Sequence, residues 1–213
     1  MSQDLINLTA TAVTVGFIHV LIGPDHYLPF IALSKSGRWS FSKTMWFTFI
    51  CGVGHLLGAV ALAFIGIRFG LMVNKLAAIE SMRGELASGM LIAFGLVYFV
   101  WGLRQAFKKR SLGPDAETTV NNFSWILVII FVLGPCEPLI PILMYPTVGS
   151  SLQQTIWASS ILGGTTLLTM MGAVAVLYRG VDLLPVNRPQ RCTHALAGGA
   201  ILFCGIAVGF LGL

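Results

Sequence analysis

Long apolar runs alternate with short polar segments along the whole chain. An α-helix needs about 20 mainly apolar residues to cross a bilayer. The pattern therefore predicts six transmembrane helices, at roughly residues 7–33, 44–67, 86–106, 123–147, 154–178 and 194–213. The segment 71–85 carries too many charges to span a membrane, and we expect it to form a surface helix or a loop.

The composition supports a membrane protein and excludes several other classes. Hydrophobic residues make up 56% of the 213 residues and charged residues only 10%, whereas about 25% of an ordinary soluble domain is charged. Too few polar residues remain to cover the outside of a soluble fold. A soluble enzyme, a nucleic-acid-binding protein and a disordered chain are thus excluded as main interpretations, and we expect neither enzymatic activity nor a nucleic-acid partner.

The basic residues are distributed unevenly between the two sides of the predicted topology. Ten Lys and Arg residues lie at or after the first, third and fifth spans, and only Arg68, Lys75 and Arg83 lie on the opposite side. Loops rich in Lys and Arg stay in the cytoplasm. We therefore predict a multi-pass protein of the plasma or inner membrane, in contact with the lipid bilayer, with both termini outside the cytoplasm.

The two halves of the chain resemble each other at an offset of 111 residues. The matching positions are Gly23-Pro24 with Gly134-Pro135, Trp46 with Trp157, and Arg68 with Arg179. Each half, 1–107 and 123–213, holds three predicted spans, and a cytoplasmic linker at 108–122 joins them. Because three is odd, the second half enters the membrane from the opposite side. The predicted fold is an all-α integral membrane protein of six transmembrane helices in two inverted three-helix repeats, a common plan of transporters.

Each repeat contains a glycine-proline pair inside an apolar span, Gly23-Pro24 in helix 1 and Gly134-Pro135 in helix 4. Proline has no backbone N–H and clashes with the carbonyl four residues before it, so the carbonyls of Val20 and Phe131 are freed. Such backbone is tolerated in a membrane only where it is buried in protein or lines a wet cavity. We therefore expect helices 1 and 4 to be broken at these pairs, which can serve as hinges and offer carbonyl oxygens to a substrate.

Side chains with metal-binding chemistry follow both breaks. Asp25 and His26 lie in the first repeat, and Cys136 and Glu137 occupy the equivalent positions of the second. Ionisable residues at membrane depth indicate a functional site. Imidazole, carboxylate and thiol groups together suit a transition-metal ion better than Mg²⁺ or Ca²⁺. His55, in the middle of the second span, is a further candidate ligand.

Other interpretations of these residues remain open. Asp25 and Glu137 can each form a buried ion pair with a basic partner or cap the half-helices, or the site can relay protons without a metal. His19 and His55 can instead form hydrogen bonds between helices. The sequence has no P-loop, so transport by this chain would be passive, coupled to an ion, or driven by an accessory subunit.

The segment from His19 to His26 resembles the signature of the nickel–cobalt permease (NicO-type) families, in which four residues separate a histidine from an Asp-His pair. The resemblance implies transport of Ni²⁺ or Co²⁺, with Zn²⁺ as a further candidate and no organic cofactor. It also implies metal ligands at His19, Asp25 and His26, with His55 as an additional ligand. Here five residues, VLIGP, separate His19 from Asp25, and one extra residue turns a side chain by about 100° on a regular helix.

The paired Gly-Pro breaks also resemble the wider superfamily of amino-acid exporters and CcdA-type thiol-electron carriers. Those carriers use one cysteine in each repeat, whereas here Asp25 occupies the position equivalent to Cys136, and Cys51 is the nearest substitute. A thiol–disulfide electron carrier is therefore one alternative to metal transport. An exporter of a small anion, bound at the positive ends of the half-helices, is another. A glycine-rich face on the third or sixth span can also pair with a second copy, which would make a homodimer.

Overall fold

A computed structural model of the chain describes residues 3–68, 73–107, 114–134, 152–183 and 192–211. Within these ranges the protein is all-helical, with seven α-helices and one 3₁₀ turn. The helices are α1 (Gln3–Ile22), α2 (Leu28–Ser36), α3 (Phe41–Arg68), α4 (Val73–Phe107), α5 (Pro114–Leu133), α6 (Leu152–Leu183) and α7 (Thr193–Leu211). The 3₁₀ turn, Pro24–His26, lies between α1 and α2.

Five of the described helices, α1, α3, α4, α6 and α7, are long and apolar enough to cross a membrane. The apolar part of α5 is shorter, Ser124–Leu133. Large apolar side chains point away from the protein: Phe64 is 69% exposed, Leu168 72% and Phe210 85%. Water would disfavour so much exposed apolar surface, whereas a lipid environment does not. The chain is a multi-pass helical membrane protein.

Helix α1 ends before the first glycine-proline pair, as the sequence predicts. The amide of Gly23 donates to the carbonyl of His19 (3.0 Å), which closes the last turn of α1. The 3₁₀ turn follows, with the amides of His26 and Tyr27 donating to the carbonyls of Gly23 and Pro24. The first predicted span is therefore two helices, α1 and α2, joined by a short turn that holds Asp25 and His26.

Glycines allow α4 and α7 to pack with their backbones in close contact. A Cβ atom on Gly95 would lie 2.4 Å from the backbone nitrogen of Leu202, and one on Gly198 would lie 2.3 Å from that of Phe99. Gly102 and Gly205 are equally tight against the partner helix. At these positions the glycine faces of the third and sixth spans contact each other within the chain. The sequence analysis considered these faces for pairing with a second copy.

The charged segment 71–85 differs from its prediction as a separate surface element. From Val73 it is helical and continuous with the third span, so α4 extends to Phe107. Leu76 and Glu80, one turn apart, are 1% and 2% exposed, and Arg83 pairs with Glu80 at 2.9 Å. The segment is thus a helix with one buried face, while the side chains of Lys75, Met82 and Glu85 remain exposed.

The second half of the chain departs from prediction at one boundary. Helix α5 begins at Pro114, inside the segment 108–122 that was expected to be a linker. Proline suits the first turn of a helix because the amide it lacks would have no helical partner there. Helix α5 ends at Leu133, directly before Gly134. Pro135, Cys136 and Glu137 lie outside the described residues.

Candidate metal-binding site

Three of the chain's four histidines meet in the interior of the helical bundle. His19 lies near the end of α1, His26 in the 3₁₀ turn, and His55 in the middle of α3. The ring centroids of His19 and His26 are 4.8 Å apart, and those of His26 and His55 are 5.6 Å apart. One nitrogen atom from each ring lies within 4.8 Å of the other two. We call these three residues the histidine cluster.

The break after α1 is what brings His26 to His19. On a continuous helix, residues seven apart are separated by about 10 Å along the axis, whereas the two rings are in edge-to-face contact at 4.8 Å. The 3₁₀ turn interrupts the regular helix between the two residues, so the extra residue between His19 and Asp25 does not turn His26 away from His19. Gly23 makes room for this arrangement, since a Cβ atom there would lie 2.6 Å from Nδ1 of His26.

Two of the three rings are oriented by hydrogen bonds from Nδ1. His26 Nδ1 donates to the carbonyl of Gly23 (3.2 Å) and to Oδ1 of Asp25 (3.1 Å), and His55 Nδ1 donates to the carbonyl of Phe131 (3.3 Å). Since these oxygens can only accept, both rings carry the proton on Nδ1 when neutral. Their Nε2 atoms are then lone-pair donors, and this arrangement is typical of histidines that bind metals.

The Nε2 atoms of the cluster lack partners. Among the described residues, Nε2 of His19, His26 and His55 are buried and form no hydrogen bond. Buried polar atoms nearly always have a partner, and leaving one without costs free energy. Two nitrogens bound to one ion at about 2.1 Å lie at most about 4.2 Å apart. Since one nitrogen of each ring lies within 4.8 Å of the other two, small movements of the rings would bring them to the spacing that a bound ion requires.

Asp25 contacts His26 and is not one of the three residues whose ligand atoms lie within 4.8 Å of one another. One of its carboxylate oxygens accepts the hydrogen bond from His26, and its side chain is 24% exposed. It also lines a cavity of about 30 Å³, together with His26 and His55. A space of this size can hold a water molecule beside the cluster. The remaining walls come from α4, α5, α7 and the residue after α5: Ala87, Ser88, Leu91, Ile130, Phe131, Gly134 and Val208.

The carbonyl of Phe131, which the sequence analysis offered as a possible ligand, has another role. It accepts hydrogen bonds from Nδ1 of His55 and from the amide of Gly134 (3.1 Å). The Phe131 ring lies with its centroid 6.5 Å from those of His26 and His55. Phe131 therefore orients one histidine of the cluster and shields two of them with apolar surface.

Of the remaining predicted residues, the structure describes Cys51 and Gly134. Cys51 is fully buried in the apolar core, with Met170 and Val174 in the same cluster of side chains. Cys136, Glu137 and the hinge residue Pro135 fall outside the described residues. Gly134 is described and adjoins the site, since a Cβ atom there would lie 3.3 Å from Nδ1 of His55.

Sequence reasoning missed Arg83 and Glu80. Arg83 Nη2 donates to the carbonyls of Val132 (3.2 Å) and Gly134 (3.1 Å), next to the carbonyl that holds His55. Glu80 is 2% exposed and accepts from Nη1 of Arg83. The one available signal was their spacing, because an acid and a base three residues apart on a helix can pair.

Comparison with family models, with curated proteins and with solved structures returns no match to this chain. The functional argument therefore depends on the geometry of the site and on the chemistry of its residues.

Proposed function

We propose that this protein carries a divalent transition-metal cation across a membrane and binds it at the histidine cluster. The observation that supports this proposal is the set of three buried Nε2 atoms without hydrogen-bond partners. A bound cation would satisfy all three at once. The transported ion is the substrate of the protein and not a resident cofactor.

The type of ligand selects the class of ion. Neutral imidazoles bind nickel, cobalt, zinc and copper well, whereas magnesium and calcium prefer oxygen ligands. Asp25 adds a negative charge beside the imidazoles, and this charge partly compensates a divalent ion in a medium of low dielectric constant. Within the transition metals, Ni²⁺ and Co²⁺ are favoured by the resemblance to nickel–cobalt permeases, and Zn²⁺ is compatible with the same ligands.

An inverted repeat would give such a site access to each side of the membrane in turn. The helix bounds support it: α1 and α5 begin at 3 and 114 and end at 22 and 133, and α3 and α6 begin at 41 and 152, so each pair differs by 111 residues. The contacts support it as well. If the halves are exchanged, the contact of α1 with α6 maps onto that of α3 with α5, and α4 with α7 maps onto itself.

In this proposal the six spans are α1 with α2, α3, α4, α5 with the residues that follow it, α6, and α7. Both termini face away from the cytoplasm, as the distribution of Lys and Arg predicts, and the membrane is the plasma or inner membrane. Cys136 and Glu137 remain predicted ligands from the second repeat. The electron-carrier alternative gains no support from the described residues, since Cys51 lies in the apolar core.

The proposal is tested by metal binding to purified protein in detergent or nanodiscs. Calorimetry with Ni²⁺, Co²⁺, Zn²⁺ and Mg²⁺ is expected to show saturable binding of a transition metal and none of Mg²⁺. The variant His26→Ala is expected to abolish this binding. His194→Ala is the matched control, because His194 is also buried but lies outside the cluster.

Uptake of the same ions into proteoliposomes then tests transport itself. Entry of the bound metal into vesicles with wild-type protein, and not with His26→Ala protein, is the expected result. Folded wild-type protein that binds no transition metal would contradict the proposal. Measurement of the redox state of Cys51 and Cys136 and of anion efflux would then test the two alternatives.

A further inference from the structure

Helix α5 ends at Leu133, and its last carbonyl groups need partners. The final four carbonyls of an α-helix have no partner within the helix, and in a membrane protein an unsatisfied carbonyl is costly. At this end the carbonyl of Phe131 accepts from His55, and those of Val132 and Gly134 accept from Arg83. The same stretch of backbone is therefore held by α3 from one side and by α4 from another.

Arg83 is suited to this task by its shape and its charge. Its guanidinium group uses Nη2 for the two carbonyls and Nη1 for Glu80, a division that the single nitrogen of a lysine cannot reproduce in the same geometry. A positive charge at the C-terminal end of a helix is also favourable, because the helix dipole is negative there. Glu80 compensates the charge of Arg83, so the pair can remain in an apolar region.

The surface of α3 is shaped to receive the end of α5. A Cβ atom on Gly58 would lie 2.5 Å from the carbonyl oxygen of Val132 and 3.1 Å from Nη2 of Arg83. One on Gly54 would lie 2.8 Å from the side chain of Val132. His55 lies between these two glycines in the sequence. The packing of the end of α5 against α3 and the hydrogen bond from His55 to the carbonyl of Phe131 are thus parts of one contact between the two helices.

We infer that Arg83 is a positioning residue for the histidine cluster. By holding the carbonyls of Val132 and Gly134, it fixes the neighbouring carbonyl of Phe131, which in turn fixes the tautomer and orientation of His55. Arg83 does not contact the substrate. The inference about metal affinity rests on the proposed function, whereas the inference about the tautomer of His55 does not.

The test is nitrogen NMR of metal-free protein with ¹⁵N-labelled histidine. The chain has four histidines, and the His55 signals are assigned by their loss in His55→Gln. In the wild type, His55 is expected to show one form, protonated at Nδ1 and unprotonated at Nε2. In Arg83→Gln, a mixture of both tautomers is expected. Arg104→Gln, a change of an exposed arginine on the same helix, is the matched control and is expected to keep the single form.

A second variant changes the same contact on the α3 side and leaves Arg83 in place. Gly58→Ala places a methyl group against the carbonyl of Val132 and should displace the end of α5, with the same mixture of tautomers. Since it retains the Arg83–Glu80 pair, it decides the question even if Arg83→Gln does not fold. Retention of the single Nδ1-protonated form in a folded variant, Arg83→Gln or Gly58→Ala, would overturn the inference.

The affinity for metal is the second quantity to measure, because it links Arg83 to the proposed function. Loss of a partner that orients a metal-binding histidine typically costs about 10- to 100-fold in affinity, and Arg83, which acts through one further group, is expected to give about tenfold. If the wild type binds no metal, the proposed function fails, while the NMR comparison still decides whether Arg83 positions His55.

Discussion

The protein contains two environments for buried histidines, and they differ in how completely the polar atoms are satisfied. In the histidine cluster, three Nε2 atoms lack partners among the described residues. At the start of α7, His194 Nδ1 is 2.9 Å from the hydroxyl of Tyr98, which is 2.9 Å from the hydroxyl of Ser36. The hydroxyl of Ser36 donates to the carbonyl of Leu33 (3.1 Å). We call this second arrangement the His194 network.

The hydrogen bonds of the His194 network can all run in one direction, from His194 to the carbonyl of Leu33. Because the Leu33 carbonyl accepts from Ser36, the Ser36 hydroxyl is free to accept from Tyr98, and the Tyr98 hydroxyl to accept from His194. The network connects α2, α4 and α7. Each atom that it joins has a hydrogen-bond partner, so none of these atoms is left for a metal ion. The histidine cluster has the opposite character, since its hydrogen bonds hold the rings from behind and leave lone pairs available. A buried histidine thus indicates a ligand site when its second nitrogen is unsatisfied, and a structural link when it takes part in a closed chain of hydrogen bonds.

The largest effect expected from this comparison is a separation of metal binding from stability. His55→Ala removes one ligand and should lower the affinity for the transported metal by more than about 100-fold, beyond the usual cost of losing a second-shell partner. His194→Ala should leave affinity unchanged but lower the thermal stability, because it leaves the Tyr98 hydroxyl without its donor. Titration calorimetry and thermal unfolding of both variants measure the two effects. Equal losses of metal affinity would contradict the distinction between the two environments.

The turn that creates the cluster provides the next largest effect. Gly23→Ala would place a Cβ atom 2.6 Å from Nδ1 of His26, so the ring must shift from its position in the cluster. We expect a loss of metal affinity of about tenfold or more, comparable to the loss of a group that orients a ligand, with a destabilisation of about 1–3 kcal/mol from overpacking. Gly164→Ala is the matched control, since a Cβ atom there meets no neighbour within 4 Å. Wild-type affinity in Gly23→Ala would show that the turn does not determine the site.

Much of the first half of the chain could be predicted from the sequence, because its signals are local. Apolar runs of sufficient length predict spans, and Gly23-Pro24 predicts a break within one of them. The equivalence of Gly23-Pro24 and Gly134-Pro135 also directed attention to the residues that follow each break. His26 and His55 were candidates because of their residue type and depth, and His19 because of the resemblance; the structure brings all three together.

What the sequence could not predict depends on contacts between distant segments. The spacing from His19 to His26 conflicted with a regular helix, and only the path of the chain through the 3₁₀ turn resolves the conflict. Arg83 was assigned to a surface segment by its charge, yet its partners Val132 and Gly134 lie about 50 residues further along the chain. A local pattern contains no information about such partners. Likewise, the sequence could not predict that the carboxylate of Asp25 accepts a hydrogen bond from Nδ1 of His26; its role as a metal ligand stays a prediction.

A moderate loss of metal affinity is expected when Asp25 is changed. The size of the loss distinguishes a carboxylate that orients His26 from one that binds the ion directly. Asp25→Asn keeps an oxygen that can accept from His26 but removes the negative charge. If Asp25 orients His26, the affinity for the metal should fall by about tenfold. If Asp25 binds the ion directly, the loss should match that of His55→Ala. Binding isotherms of the two variants under the same conditions make the comparison, and an unchanged affinity in Asp25→Asn would exclude both roles.

The smallest effect on metal binding is expected from the centre of the His194 network. Tyr98→Phe removes the hydroxyl that joins His194 to Ser36 and leaves two buried polar groups with one partner fewer. The free energy of unfolding should fall by about 1–3 kcal/mol, while metal affinity stays at the wild-type value. Tyr178→Phe is the matched control, since the Tyr178 hydroxyl donates only to the carbonyl of Trp39 (2.6 Å), and it should be less destabilising. A change of metal affinity in Tyr98→Phe alone would mean that the two environments are coupled through α4, because that helix carries Tyr98 and also lines the cavity beside the histidine cluster.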